Sequence, residues 1–304
     1  GAKYATKDPS TIVPMLRKGF SVSKEIKKAK IYICGLGLYE LKVNGTLPDD
    51  SVLNPADTQY EDTVSYNVYD VTGLLQEGKN AMTVELGGGF YYMNTHISVN
   101  FAKGIWKDYP KLLLELHVEY QNGEREVIVS DESWRCYEDG PIRSNNIYCG
   151  ESYDATKEID GWTEAEFDDS NWEPVCLAEA PTGKLKFENM EPMRRVRSFT
   201  PTVEQLDSTT WLVRSPEFCT GWAKIAFPEA QKGQVINIRY FQREHERSKG
   251  LTLTGSSGEV YQLQSYIYQA KGVPGETYEP KFSYCGYELI EITGYTGQLK
   301  PEDI

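Results

Sequence analysis

A short polar segment offers the best group of ligand-binding side chains in this sequence. Asn145 and Asn146 follow Arg143-Ser144, and Glu151 and Asp154 come shortly afterwards. Amide and carboxylate oxygens can fix the hydroxyl groups of a sugar, so a polar sugar-binding site is the specific interpretation. Ordinary turn and interface roles for the same residues stay open, because the sequence does not show that the four side chains converge.

Aromatic residues upstream could provide the apolar half of such a site. Phe90-Tyr91-Tyr92 follows Gly87-Gly88-Gly89, and Trp106 comes later. The glycines let the chain bend out of a strand and bring the rings to a surface. A pyranose lays its C–H face on an aromatic ring, so Tyr91, Tyr92 and Trp106 are candidate sugar-binding residues. The alternative is that part of this aromatic group belongs to the core.

The sequence predicts no catalytic residue. Glycoside hydrolysis needs two carboxyl groups about 5–10 Å apart in a substrate cleft. The chain has 45 acidic residues, and no pair among them stands out. A Ser-His-Asp arrangement is equally unsupported, since no GxSxG motif occurs. Whether this chain is itself an enzyme is therefore left open.

Cysteine and histidine usage argues against a structural metal. Six cysteines are scattered without a CxxC motif, and there are only three histidines, so zinc is not expected. The cysteines are expected to be buried free thiols, with Cys136 and Cys149 the one pair considered for a bridge. Asp168 and Asp169 could bind calcium, but turn chemistry between Phe167 and Trp172 is the favoured interpretation.

Alternating apolar residues predict that these side chains are carried by β-strands. Asn44-Gly45 indicates a type I′ turn, and Asn122-Gly123 joins two alternating runs into a hairpin. Strands are expected in a first region at 31–44, 64–70, 80–86, 111–120 and 124–130. Further strands are expected in a second region at 209–214, 221–227, 233–242, 261–270 and 287–293.

Composition bounds the architecture and the partners. A chain of 304 residues suits two domains, and a 12% aromatic content favours strands. The composition shift at 178–198 places the domain boundary between residues 188 and 189, which gives domains 1–188 and 189–304. A net charge of −13 disfavours nucleic acid as a partner. No apolar run is long enough to cross a bilayer, so no membrane partner is expected.

The order of the sequence motifs resembles that of the β-domains of bacterial α-L-rhamnosidases, the family 78 glycoside hydrolases. The motifs run from Leu36-Gly-Leu-Tyr-Glu-Leu-Lys-Val-Asn-Gly45 through Tyr69-Asp-Val-Thr-Gly-Leu-Leu75 and Tyr148-Cys-Gly-Glu-Ser-Tyr-Asp-Ala155 to Thr220-Gly-Trp222 and Tyr278-Glu-Pro-Lys-Phe-Ser-Tyr-Cys-Gly-Tyr287. Two segments, Ser215-Pro-Glu-Phe-Cys219 and Arg239-Tyr-Phe-Gln242, depart from the family pattern. If these positions face the substrate in relatives, that role is in doubt here.

The resemblance implies an all-β fold of two tandem antiparallel β-sandwich domains. The first would be a jelly-roll, galactose-binding-like domain with a carbohydrate-binding role, and the second a concanavalin-like domain. Relatives of the first domain include calcium-assisted rhamnose-binding modules, so Asn145, Asn146, Glu151 and Asp154 could offer oxygen ligands to calcium. No other cofactor is expected.

The resemblance also implies that the chemistry lies outside this chain. In the family, an (α/α)6 barrel after the β-domains carries two catalytic glutamates, and no long helical series occurs here. We expect a non-catalytic part of an enzyme that hydrolyses terminal α-L-rhamnosides with inversion. Its partners would be a rhamnose-containing glycan and that barrel in the same polypeptide. The alternative is a stand-alone rhamnose-binding module or an adhesion scaffold.

The start of the chain bears on its location. Gly1-Ala-Lys-Tyr4 carries no signal peptide and resembles a cut rather than a natural beginning. A periplasmic or secreted location is favoured over a cytoplasmic one.

Overall fold

A computed structural model describes residues 13–93, 104–247, 252–254 and 260–304. The first strands are β1 (Met15–Val22), β2 (Ile26–Leu36), β3 (Leu38–Val43), β4 (Thr63–Asp70), β5 (Gly78–Gly87), β6 (Lys111–Tyr120), β7 (Arg125–Val129), β8 (Arg135–Tyr137), β9 (Ile142–Asn146), β10 (Gly150–Asp154), β11 (Glu173–Pro174) and β12 (Lys184–Phe187). The later strands are β13 (Thr202–Gln205), β14 (Thr210–Gly221), β15 (Ile225–Ala226), β16 (Val235–Phe241), β17 (Thr252–Thr254), β18 (Val260–Gln262), β19 (Ser265–Gln269), β20 (Thr277–Tyr278) and β21 (Cys285–Thr293). One helical turn, α1 (Glu244–Arg247), and short 3₁₀ turns at Thr72–Leu74, Ala155–Lys157 and Pro301–Asp303 are the helical elements of the described residues.

Two five-stranded sheets form the first sandwich. One has the strand order β11-β8-β1-β5-β3 and the other β12-β4-β2-β6-β7. Alternation places Ile31, Ile33, Leu114 and Leu116 on the inner face, where they are fully buried against β1, β3 and β5. This packing explains the alternating pattern in the sequence, because one face of each sheet must be apolar. The predicted all-β sandwich fold is confirmed.

The strand predicted at 31–44 is wrong in one respect, because the chain divides it between the two sheets. Gly37 has φ of +95°, and a Cβ at this position would lie 2.3 Å from the carbonyl oxygen of Gly87. Only glycine fits both the left-handed backbone and the close approach. β2 therefore ends at Leu36 in one sheet, and β3 begins at Leu38 in the other.

Both predicted turns are present, although one has a different form. Asn44 and Gly45 have φ of 48° and 77°, as a type I′ turn requires. At the β6–β7 hairpin only Gly123 has positive φ, and the amide of Tyr120 donates to the carbonyl of Glu124. This is a three-residue loop with a glycine bulge rather than a two-residue turn.

The second unit is built on a seven-stranded sheet of order β13-β14-β21-β16-β19-β10-β9. Its core lies on one face of that sheet and includes Trp211, Phe227, Tyr240 and Tyr268. The hairpin β9–β10 falls within the predicted first domain, yet β10 pairs with β19 in parallel. The domain boundary between residues 188 and 189 stays a prediction. It does not coincide with the boundary between the sheets, because β9 and β10 precede it and yet belong to the sheet of the second unit.

A glycine permits this unusual strand addition. Gly150, the first residue of β10, has φ of +103°, and a Cβ there would lie 2.2 Å from the carbonyl oxygen of Ser265. The amides of Gln264 and Ser265 donate to the carbonyls of Tyr148 and Cys149. Backbone of the first unit thus continues the sheet of the second.

A buried arginine holds the loop that precedes β11 by hydrogen bonds to its backbone. Arg17 donates to the carbonyls of Trp162, Glu164 and Phe167 and forms an ion pair of 2.9 Å with Asp169. Asp168 accepts a hydrogen bond from the amide of Ser170. Asp168 thus takes part in turn chemistry, and Asp169 forms an ion pair with Arg17.

All six cysteines lie in the described residues and none forms a disulfide, so Cys136 and Cys149 are not bridged. Across the described ranges, no helix combines the length and apolar character needed to cross a membrane.

Candidate functional site

A lysine lies between two glutamates where the two units meet. Glu40 on β3 and Glu85 on β5 are direct cross-strand partners. The Nζ of Lys281, which follows β20, lies 3.1 Å from Glu40 Oε1 and hydrogen-bonds to Glu85 Oε2. Like charges directly opposite on a sheet destabilise it, so Lys281 supplies the compensating charge.

The electrostatics of this triad favour its charged form. Burial alone would raise the pKa of Glu40, but the charges of Lys281 and Lys42 outweigh burial and lower it. Burial alone would lower the pKa of Lys281, but Glu85 and Glu40 outweigh that effect and raise it. Glu40 and Lys281 therefore stay ionised at neutral pH and form an electrostatic link between the units.

Glu151 is a second buried carboxylate at the junction. It is 2% exposed, and its Oε1 accepts a hydrogen bond of 3.0 Å from the Tyr278 hydroxyl. Its Oε2 has no hydrogen-bond partner among the described residues. Burial raises the pKa of Glu151 to about 7, while hydrogen bonds from Tyr278 and the Lys281 backbone act in the opposite direction.

Asn145 lies directly opposite Glu151 in the β9–β10 ladder. Its Oδ1 accepts a hydrogen bond of 3.3 Å from the amide of Gly88, while its Nδ2 is buried without a partner in the described structure. Asn145 and Glu151 are therefore buried cross-strand neighbours, and Asn145 also contacts the glycine-rich loop of the first unit.

The raised pKa of Glu151 predicts a pH-dependent stability. The folded-state pKa is about 7, against an ordinary value of 4.5, so the folded state holds the extra proton between these values. Stability from this group is fully present below pH 4.5 and is lost as the pH rises to about 7. Glu151→Gln, which stays neutral, should raise the free energy of unfolding at pH 8 by about 1–3 kcal/mol.

Urea denaturation at pH 5 and pH 8 measures this effect. Exposed Glu132 provides the matched control, and Glu132→Gln should leave the stability at both pH values within about 0.5 kcal/mol of the parent. A Glu151→Gln protein that is no more stable than the parent at pH 8 contradicts the assignment.

The three aromatic candidates occupy different environments. Tyr91 is 2% exposed, packs edge-on against Tyr60 at 4.9 Å, and belongs to a core cluster. Tyr92 is partly exposed and stacks on Tyr109, with ring centroids 5.3 Å apart. Trp106 is partly exposed at the border of the Tyr91 cluster. The structure therefore brings Tyr91 and Trp106 together but leaves no open ring face on Tyr91.

Two of the four polar candidates serve their own turns. Asn146 Oδ1 accepts hydrogen bonds from the amides of Tyr148 and Cys149 in the loop between β9 and β10. Asp154 Oδ1 accepts from the amide and hydroxyl of Thr156 and caps a 3₁₀ turn. Glu151 and Asn145 are neighbours across the hairpin, whereas the side chains of Asn146 and Asp154 bond only within their own turns.

A cleft of 420 Å³ opens beside the charged triad, between the two units. Trp222 lines it, and the indole Nε1 donates a hydrogen bond of 2.8 Å to Glu279 Oε1. Arg195 donates to the same oxygen at 2.8 Å, with its guanidinium 5.4 Å from the indole ring centre. An indole, a carboxylate and a guanidinium thus line one wall in a mutually fixed arrangement.

Sequence reasoning missed Glu40, Glu85, Lys281 and the Trp222 wall as site residues. The available signal was a glutamate within an uninterrupted buried strand: every residue of β5 from Asn80 to Gly87 is buried, including Glu85. A charge at such a position needs a partner, because an unpaired buried charge is strongly unfavourable. The identity of that partner, almost two hundred residues away, has no local signal.

The segments that depart from the family pattern lie elsewhere. Ser215–Cys219 spans the irregularity in the pairing of β14 with β21, and Arg239 to Gln242 includes the end of β16. None of these residues lines the cleft. No cluster of three or more metal-binding side chains occurs within the described ranges, and calcium binding in the first domain stays a prediction.

Comparison with known proteins identifies two consecutive family domains. Residues 24–197 match the α-L-rhamnosidase N-terminal domain, and residues 204–304 match the bacterial α-L-rhamnosidase concanavalin-like domain. A curated α-L-rhamnosidase of Formosa agariphila is 31% identical over 302 residues, covering 94% of this chain and 30% of that protein.

Solved structures agree with these matches. The α-L-rhamnosidase from Dictyoglumus thermophilum has a TM-score of 0.84 and 40% identity, covering 96% of this chain and 32% of that one. The Streptomyces avermitilis α-L-rhamnosidase complexed with L-rhamnose has a TM-score of 0.83 and 28% identity, covering 97% of this chain and 28% of that one.

The chain spans about 30% of the length of the curated relatives it matches. With two family domains in the expected order and the fold of both reproduced, this chain belongs to the bacterial α-L-rhamnosidase family.

Proposed function

We propose that this chain is the non-catalytic β-sandwich part of a longer α-L-rhamnosidase. The longer protein would hydrolyse terminal α-L-rhamnosides with inversion, in a helical-barrel domain of the same polypeptide. This chain would hold that domain and contribute surfaces for the glycan. The observation that carries the proposal is that Glu40, Glu85 and Glu151 at the junction each make a structural contact with the other unit, while the relatives are about three times longer.

The catalytic alternative rests on the opposite pKa shifts of two glutamates. Glu151 has a raised pKa and Glu40 a lowered one, which is the pattern of an acid and its partner in a glycosidase. However, Glu151 is 2% exposed and does not line the cleft, so no substrate oxygen reaches it. Glu40 is held by Lys281 at 3.1 Å. The two groups serve the junction rather than hydrolysis.

An activity assay tests the proposal. We expect this chain to release no nitrophenol from a nitrophenyl α-L-rhamnoside above the uncatalysed rate, whereas the longer protein turns the substrate over. Size-exclusion chromatography and circular dichroism should confirm that the chain assayed is folded. Turnover by the chain that disappears in Glu151→Gln would establish the catalytic alternative instead.

A rhamnose-containing glycan as ligand of the first sandwich is a second proposal. It is supported by the partly exposed Tyr92, which stacks on Tyr109 and has the Lys107 ammonium 5.5 Å from its ring centre. Trp106 lies nearby in sequence and is also partly exposed. The Streptomyces avermitilis relative was crystallised with L-rhamnose, which makes this sugar the first ligand to test.

A further inference from the structure

The cleft between the units has walls that are held in place before any ligand arrives. On one side, the loop that carries Asn54 is fixed to β3, because the Tyr39 amide donates to the Asn54 carbonyl at 2.8 Å. The Val52 amide of the same loop donates to the carbonyl of Met193 at 2.9 Å. The opposite wall, with Trp222 and Glu279, is fixed by the contacts described above. A preformed cleft of 420 Å³ is large enough for a sugar unit.

The charges of this cleft differ from those of the rest of the molecule. The whole chain carries a net charge of −13. The cleft, in contrast, is lined by more cations than anions: Lys42, Arg195, Lys224 and Lys281 against Glu40, Asp49 and Glu279. Counting Glu85, which pairs with Lys281, the charges at the cleft balance, so an anionic ligand is repelled less here than by the protein as a whole.

Two of the four cations, Lys42 and Lys224, are less engaged by carboxylates than the other two. Lys281 is held by Glu40 and Glu85, and Arg195 by Glu279. The Nζ of Lys42 lies 3.4 Å from Glu40 Oε1, the same oxygen that lies 3.1 Å from the Nζ of Lys281. The side chain of exposed Lys224 forms no ion pair or hydrogen bond with any described residue. One of these lysines belongs to each unit, and both line the cleft.

The remaining lining is suited to a polyhydroxylated ring. Trp222 provides a partly exposed apolar wall whose orientation is fixed by its hydrogen bond to Glu279. Trp222 and Arg195 both donate to Oε1 of Glu279. Oε2 of this partly exposed carboxylate is therefore left to accept hydrogen bonds from sugar hydroxyls. An aromatic wall combined with a carboxylate acceptor is a common way to bind a sugar ring.

We propose that this cleft binds an anionic saccharide, a sugar that carries a carboxylate. Lys42 and Lys224 would contact the carboxylate, Trp222 the apolar side of the ring, and Glu279 its hydroxyls. The site is separate from the aromatic candidates of the first sandwich and requires no hydrolysis. It would let the β-domains bind an acidic glycan while the chemistry takes place elsewhere.

Isothermal titration with matched sugars tests this proposal on the chain as it is. Digalacturonate and galactobiose are the probes, since they differ only in bearing carboxylates or hydroxymethyl groups. We expect digalacturonate to bind at least tenfold more tightly than galactobiose, and its affinity to fall with added salt. The double variant Lys42→Gln/Lys224→Gln should lose at least tenfold in digalacturonate affinity.

A control variant distinguishes binding in the cleft from nonspecific attraction of an anion to surface lysines. Lys186→Gln removes an exposed lysine on β12 and should leave the affinity unchanged. Equal binding of the two sugars, displacement by millimolar acetate, absence of binding, or an unaffected double lysine variant would each overturn the proposal. A negative result here leaves the rhamnoside assay untouched, so the two proposals fail independently.

Discussion

Lys281→Met should lower the free energy of unfolding by about 3–5 kcal/mol, because it leaves two opposed glutamates at the junction without their shared cation. Glu85 is 4% exposed on its side chain, and Glu40 is its direct cross-strand partner. Methionine keeps most of the volume of the lysine stem, so the loss reports mainly the charge rather than a cavity. Urea or guanidinium denaturation at pH 7 measures the change.

Rescue by a second substitution distinguishes this cause from general damage. Glu85→Gln in the Lys281→Met background removes one of the two like charges and should recover at least about 1 kcal/mol. The control Lys186→Met changes an exposed lysine and should stay within about 0.5 kcal/mol of the parent. A Lys281→Met protein as stable as the parent would show that the triad contributes nothing to the junction.

Arg17→Met should also be strongly destabilising, by about 3–5 kcal/mol. Arg17 is 1% exposed and donates to three backbone carbonyls of the loop before β11 as well as to Asp169. Without the guanidinium, these acceptors lose their shared donor while the loop stays packed over it. A thermal unfolding midpoint, together with near-ultraviolet circular dichroism of Trp162 and Trp172, follows the loss.

A graded series tests the forked geometry of this contact. Arg17→Lys keeps the charge but cannot span the several acceptors, so it should recover only part of the stability. Arg125 is largely exposed on β7, and Arg125→Met should therefore have little effect. If Arg17→Lys is fully stable, the ion pair with Asp169 alone is sufficient and the carbonyl contacts are secondary.

Much of the fold could be predicted because strand periodicity and turn chemistry are local properties. The alternation in 111–120 predicts β6 with its bounds, and Asn44-Gly45 predicts the turn that follows β3. Asn146 and Asp154 follow the same logic, since each side chain accepts a hydrogen bond from an amide two residues later. Such Asx turns were the ordinary alternative to ligand binding for these two positions.

The candidate site was predicted less completely, because its residues meet across long sequence distances. Asn145 and Glu151 face each other as neighbours in a hairpin, but the Tyr278 hydroxyl that contacts Glu151 comes from the other unit. Tyr91 has the composition of a sugar platform, yet packing against Tyr60 places it in a core. Sequence pattern alone does not distinguish a buried ring from an exposed one when both follow a glycine-rich bend.

The sequence by itself determined that this chain forms antiparallel strands with glycine-controlled turns, and its motif order identified the rhamnosidase family. The tertiary structure decided that β9 and β10 extend the sheet of the second unit, that Lys281 lies between Glu40 and Glu85, and that a cleft opens beside them. The physical reason is separation along the sequence. Backbone dihedrals and side-chain alternation depend on neighbouring residues, whereas strand partners and the pairing of buried charges depend on how distant segments pack together.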